Sequence, residues 1–323
     1  ANTTASYNVA VGRAALGANT TGASNTGIGY AALSAVTTAS GNTAVGSSAL
    51  TTNTGASNTA VGVNTLLVNS SGTANTAVGS YALDANTTAD NNVAIGTRAL
   101  GANTTGAANT SVGVDALRDN TTASYNIAVG TDALLVNTTG ADNVAVGRNS
   151  LDANTTANYN VAVGSIALSA NTTGANNTAL GYAALNLNTT AANNTAVGYA
   201  ALNANTTATY NTAVGRSSMA ANTTGGDNTA IGGLTLDANT TGGSNTALGY
   251  NSLSANTTAS NNTAVGASAL AANTTGTNNV AVGYATLDAI TTASNATAVG
   301  YNALTADTAG FNAAFGYTAG AAI

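Results

Sequence analysis

Few side chains in this 323-residue chain can exchange a proton or carry a charge: eleven Asp, twelve Tyr and five Arg. His, Cys, Lys, Glu, Trp and Pro are absent. Acid–base work is therefore left to Asp and Tyr. The Asp residues are scattered over several columns of a repeat (Asp84, Asp90, Asp115, Asp132, Asp142), and none is set apart from it. Without His or Cys the familiar zinc, haem and iron–sulfur ligand sets are missing, as are the nucleophilic triads. Without Lys there is neither a P-loop nor a Schiff base. A calcium solenoid would hold Asp at one fixed column. The sequence therefore predicts a protein that is not an enzyme, with no catalytic, cofactor-binding or metal-binding residue and no cofactor.

Partners are constrained in the same way. A formal net charge of −6 with five scattered Arg argues against nucleic acid. No apolar run approaches the roughly 18 residues of a membrane span. Charged residues make up 5% of the chain, far below an ordinary domain. The Asp residues serve to keep a nearly neutral surface soluble. Neighbouring pairs such as Arg118 and Asp119, or Asp142 and Arg148, are surface charges of small energetic weight.

What positions these residues is a repeat. Taking the Gly of each Val-Gly, Ile-Gly or Leu-Gly pair as position 0, copies run from Gly12 to Gly300, and Phe315-Gly316 is a variant copy. The spacing is 17 residues except from 46 to 62 and from 300 to 316, where it is 16. Nineteen copies fill 1–323 as a single repeat domain. The consensus is N-T-A-V-G-x-x-A-L-x-A-N-T-T-[GA]-x-x, with an apolar residue at −1 (Val11, Ile28, Val299), Leu at +4 (Leu16, Leu33, Leu50) and Asn at −4 and +7. Both short copies lose a residue after the Leu, beyond Leu50 and beyond Leu304. Deletions are tolerated in loops, so N-T-T-[GA] is expected to be the loop side and T-A-V-G with A-L the packed side.

Asn, Thr and Gly are poor helix formers, and a helical solenoid needs a longer unit. Short strands with tight turns fit better. The predicted fold is all-β: a repetitive parallel β-solenoid of about 19 coils, one per 17 residues, each paired with its neighbours at about 4.8 Å. In that arrangement the Val and Leu columns are expected to form internal apolar ladders. The two Asn columns become amide ladders, and the zero-position Gly marks a bend, a positive φ or a close backbone approach. One Val and one Leu per coil cannot offset the ordering of 17 backbones, so coils must stack. A core this thin also points to apolar surface buried between chains.

The segment Asn92-Val93-Ala94-Ile95-Gly96 resembles the head repeats of YadA-like trimeric autotransporter adhesins. The phrasing from Asn171 to Leu185 is similar to the repeat shafts of tail-fibre-type proteins that end in a self-cleaving intramolecular chaperone. The resemblance runs the length of the chain. It implies a left-handed β-roll, a homotrimer and an extracellular fibre. No anchor, stalk or chaperone segment, no signal peptide and no polar end cap is evident, so the expectation is a segment of a longer fibre or a subunit that stacks end to end.

Three surface features invite sharper readings. Tyr30, Tyr182, Tyr199, Tyr250, Tyr284 and Tyr301 follow the Gly and form either a glycan-gripping stripe or a packing column. The Thr-Thr columns could bind ice, although adjacent strand residues point to opposite sides. Asn-Thr-Thr is a formal N-glycosylation sequon, and turn chemistry accounts for it more simply. The resulting expectation is a non-enzymatic, rod-like spacer and attachment module on a cell surface, meeting a host surface or matrix receptor. The alternatives are a viral tail-fibre shaft on a virion, or a Thr-rich ice- or glycan-binding monomeric solenoid.

Overall fold

The computed structural model describes residues 4–321. The chain forms two compact units, Ala1–Asn160 and Val161–Ile323. The first holds nine three-residue strands, from β1 (Val9–Val11) to β9 (Val144–Val146). The second holds ten, from β10 (Val161–Val163) to β19 (Ala313–Phe315). Within each unit every strand pairs in parallel with the next, like residue over like: Thr178 over Thr195 over Thr212, and Ala179 over Ala196 over Ala213. There is no helix among the described residues. The fold is thus an all-β parallel solenoid with one strand per 17-residue coil.

Local chemistry sets the length of each strand. The β-branched residues at −3 and −1 favour extended backbone. The Gly at 0 ends it: Gly181 has φ 134°, a region open to Gly, and a Cβ there would lie 2.5 Å from the Gly198 carbonyl oxygen. Beyond it, the residues at +2, +4 and −5 all turn left-handed, as Ala183 (φ 53°), Leu185 (φ 51°) and Asn193 (φ 61°) do. A left-handed Leu is uncommon and costs on the order of 1 kcal/mol. These reversals close the coil without proline.

Backbone hydrogen bonds reach well past the strands. Leu185 N–H donates to Ala201 O (3.0 Å), Ala183 N–H to Ser165 O (3.2 Å) and Asn193 N–H to Ala175 O (3.1 Å). The N-T-T-[GA] segment is not strand, yet it is ladder-bonded too. Thr172 donates both its N–H (2.8 Å) and its hydroxyl (3.0 Å) to Thr189 O. The residue missing from each short coil is the second, outermost Thr. Asn53 and Asp307 keep the buried place before it, and strand register is undisturbed, with Thr43 over Thr59 and Ala298 over Ala314.

The Val ladder lies on the outside, against the expectation of an internal one. In a strand, neighbours face opposite ways. The inward residue is the Ala at −2, with Ala179, Ala196 and Ala213 all fully buried. The residues at −3 and −1 therefore face out: Val163, Leu180 and Ile231 are 37%, 36% and 44% exposed. Leu at +4 is inside as expected (Leu168, Leu185, Leu202, all 0% exposed), and the Ala at +3 joins it. The core of each coil is one Leu and two Ala. Polar replacements in it are bonded: Ser111 Oγ donates to Ala116 O (2.7 Å) and Thr235 Oγ1 to Gly249 O (2.7 Å).

Both Asn columns form the expected amide ladders. At +7, Asn86 Nδ2 donates to Asn69 Oδ1 (2.7 Å), and Asn120 Nδ2 to Asn103 Oδ1 (2.8 Å). At −4, Asn109 N–H donates to Asn92 Oδ1 (2.9 Å) while its Nδ2 donates to Ala123 O (2.9 Å). These amides are fully buried. They satisfy backbone groups that the turns leave unpaired.

Candidate functional site

No cluster of metal-ligating side chains occurs among the described residues. The titratable groups are dispersed by the repeat, and two ion pairs are formed among the described residues. Arg98 grips Asp115, one coil away in the same column, through Nε–H to Oδ1 and Nη2–H to Oδ2 (both 2.7 Å). Arg118 holds Asp119 through Nε–H (2.7 Å) and Nη2–H (2.8 Å). Arg148 donates instead to Asn149 Oδ1 (3.1 Å). Bidentate geometry gives the Arg98 pair directional strength.

Asp84, Asp237 and Asp288 share the +5 column, and burial pushes their carboxyls above the ordinary value. A folded pKa above the unfolded one means that the folded state binds protons more readily. Stability from these groups is full below the unfolded value of 3.8 and declines as pH rises through the folded values. The expected outcome is a melting temperature that rises as pH falls from neutrality towards 4. Replacing the three residues together by Asn should flatten that rise, and an unchanged pH profile in the triple variant would refute the assignment.

Of the three surface features, the sequons are the plainest. The Asn of Asn137-Thr138-Thr139 and of its described equivalents is fully buried and bonded, so a folded coil does not offer its amide for glycosylation. In most copies the first Thr bonds the next coil's carbonyl through its hydroxyl, as Thr206 does to Thr223 O (3.2 Å). In those copies the second, as at Thr207, is the exposed one, while Thr37 and Thr291 are exposed at the first position too. The paired columns are therefore not a uniform array of free hydroxyls.

The Tyr column stands out in the second unit. Tyr182 stacks on Tyr199 (centroids 5.4 Å, 14° between planes). Tyr284 stacks on Tyr301 (5.3 Å), which stacks on Tyr317 (5.2 Å). Stacked rings cover each other's faces. The column is therefore not a continuous stripe of free rings, because successive Tyr side chains cover part of each other's faces. In the first unit Tyr30 stands alone, with the Arg13 guanidinium 5.9 Å from its centroid.

A further surface is the outward strand face. Across 19 copies the −3 and −1 columns hold Thr, Val, Ile, Leu, Ala and Phe and no charged residue. Neither column was legible as a surface from the repeat alone. The telltale is size tolerance: −1 accepts Val, Ile, Leu and Phe, while −2 keeps to Ala with Gly27 and Ser111 as the exceptions. No family model, curated protein or solved structure matches the chain.

Proposed function

We propose that this chain is a non-enzymatic structural segment of an extracellular fibre, a rod-like spacer and surface-attachment module assembled as a homotrimer of left-handed rolls. One observation carries the reading. Each unit leaves a ladder of aliphatic side chains half-exposed on the outer strand face, with no charge on it. Contiguous exposed apolar surface of this kind marks an interaction site, and a charge-free face can meet its own copy without like-charge repulsion. The cores are thin, so burying this ladder between chains adds what each coil lacks alone. A cell surface is the reading's natural location. The shaft of a viral tail fibre would be the same mechanical object on a virion.

Mass in solution tests it. The full chain should sediment as a species three times the 30.7 kDa of one copy. Replacing Val197 and Val214, outward at −1, by Lys should release folded monomers with an unchanged far-ultraviolet spectrum. A wild-type chain that stays monodisperse and monomeric at micromolar concentration would overturn the assembly.

A further inference from the structure

The +1 column of the second unit reads Ser165, Tyr182, Tyr199, Arg216, Gly233, Tyr250, Ala267, Tyr284, Tyr301, Tyr317. Where Tyr follows Tyr, successive rings stack nearly parallel at 5.2–5.4 Å per coil. Where Tyr follows a small residue, the stack is broken. Tyr250 has Gly233 on one side and Ala267 on the other, and it is 61% exposed. Tyr284, 53% exposed, has Tyr301 on one side and Ala267 on the other. At the observed rise, Tyr250 and Tyr284 stand about 10 Å apart along the ladder, two strand spacings. Between them is room for one ring at the height where the adjacent coils carry one.

The rim of this notch is polar and neutral. The next column holds Asn251 and Ser268, both in left-handed turns and half-exposed. The charged residue nearest in the same column is Arg216, two coils before Tyr250. A vacant rung between two Tyr positions, with a hydroxyl and an amide in the next column and no charge, suits the C–H face and hydroxyls of a neutral sugar. An anionic ligand would find no cationic partner here.

We propose that Tyr250, Ala267 and Tyr284 form a subsite for one pyranose ring of a neutral glycan, with Asn251 and Ser268 bonding its hydroxyls. Ala267 is the specificity element, because its small side chain leaves the rung vacant. This names a receptor chemistry for the surface-attachment role proposed above and rests on that role. The two fail separately, since assembly is read from mass and the subsite from sugar binding.

The test uses the full chain with cellohexaose, maltohexaose and a galactan hexamer as probes. Binding is read by saturation-transfer NMR and by tyrosine emission, which no Trp masks. At least one neutral probe should bind saturably, with transfer to the sugar C–H protons. Tyr250→Ala should weaken it at least tenfold. Ala267→Tyr, which fills the vacant rung with a residue the column already carries at Tyr182 and Tyr199, should abolish it without changing the far-ultraviolet spectrum. Tyr30→Ala, in the first unit, should bind as the wild type does. Absence of saturable binding to every probe, or binding that Ala267→Tyr retains, would overturn the subsite. So would preference for a sulfated glycan over every neutral one.

Discussion

Replacing Gly198 by Ala should lower the unfolding free energy by about 3–5 kcal/mol, combining positive-φ strain with overpacking. Gly198 has φ 136°, and a Cβ built there would meet the Gly215 carbonyl oxygen at 2.5 Å and its carbon at 2.7 Å. Both groups are backbone of the adjoining coil, so no side chain can swing aside. Relief requires the two coils to separate where the ladder holds them. Stability in a solenoid is close to a sum of neighbour terms, so the loss should fall on that junction. Gly233→Ala is the matched control. It lies one position after a zero-position Gly, has no positive φ, and its Cβ would find its nearest neighbours at 3.7 and 3.9 Å. That change should stay within about 0.5 kcal/mol. Denaturant unfolding of the two variants measures the difference, and equal losses would mean that the Gly column is not set by coil-to-coil contact.

Asn205→Asp should be nearly as damaging although it changes no volume. Asn205 Nδ2 donates to Asn188 Oδ1 (2.9 Å) and to Ala208 O (3.0 Å), while its Oδ1 accepts from Asn222 Nδ2 (3.1 Å). A carboxylate accepts only. The oxygen in place of Nδ2 would then confront two acceptor oxygens at a fully buried site, at a cost of about 3 kcal/mol or more. Protonation restores one donor, so the folded-state pKa of the new carboxyl is raised. The linked stability is present at low pH and is lost as pH rises through that value. The variant should be least stable at neutral pH and recover on acidification. Asn193→Asp, exposed and left-handed at −5, should be neutral. Chemical denaturation of both variants near pH 4 and pH 7 decides the matter. A pH-independent loss at Asn205 would show that the amide ladder is not what fails.

Much of this fold is legible in the spacing. The period gives the coil, the recurrent Asn columns give the amide ladders, and the Gly before the turn announces its positive φ. Sidedness was harder. Val at −1 is the bulkiest apolar residue of the strand, and bulk suggests burial. The inner wall is instead occupied by Ala at −2, because Leu185 enters the same interior from a left-handed turn and leaves room for little else. The Thr-Thr segment misled for a different reason. The deletion after Thr54 marks it correctly as peripheral, yet Thr54 still donates its N–H to Ser70 O (2.6 Å). The Tyr notch could be located only once the stacking of neighbouring rings was known, since sequence alone gives the column but not the orientation of its rings.

Like residues standing over like have a cost in uniqueness. A chain threaded one full coil out of step would keep its Leu, Ala and Asn contacts, so those columns cannot tell right pairing from wrong. What breaks the tie are the irregular positions. The 16-residue coil ending at Gly62 fits only where its shorter loop belongs, and Arg98 finds a carboxylate only if Asp115 is directly above it. Departures from the consensus thus act as alignment marks for self-assembly, and a fully regularised version of this chain would be expected to mispair.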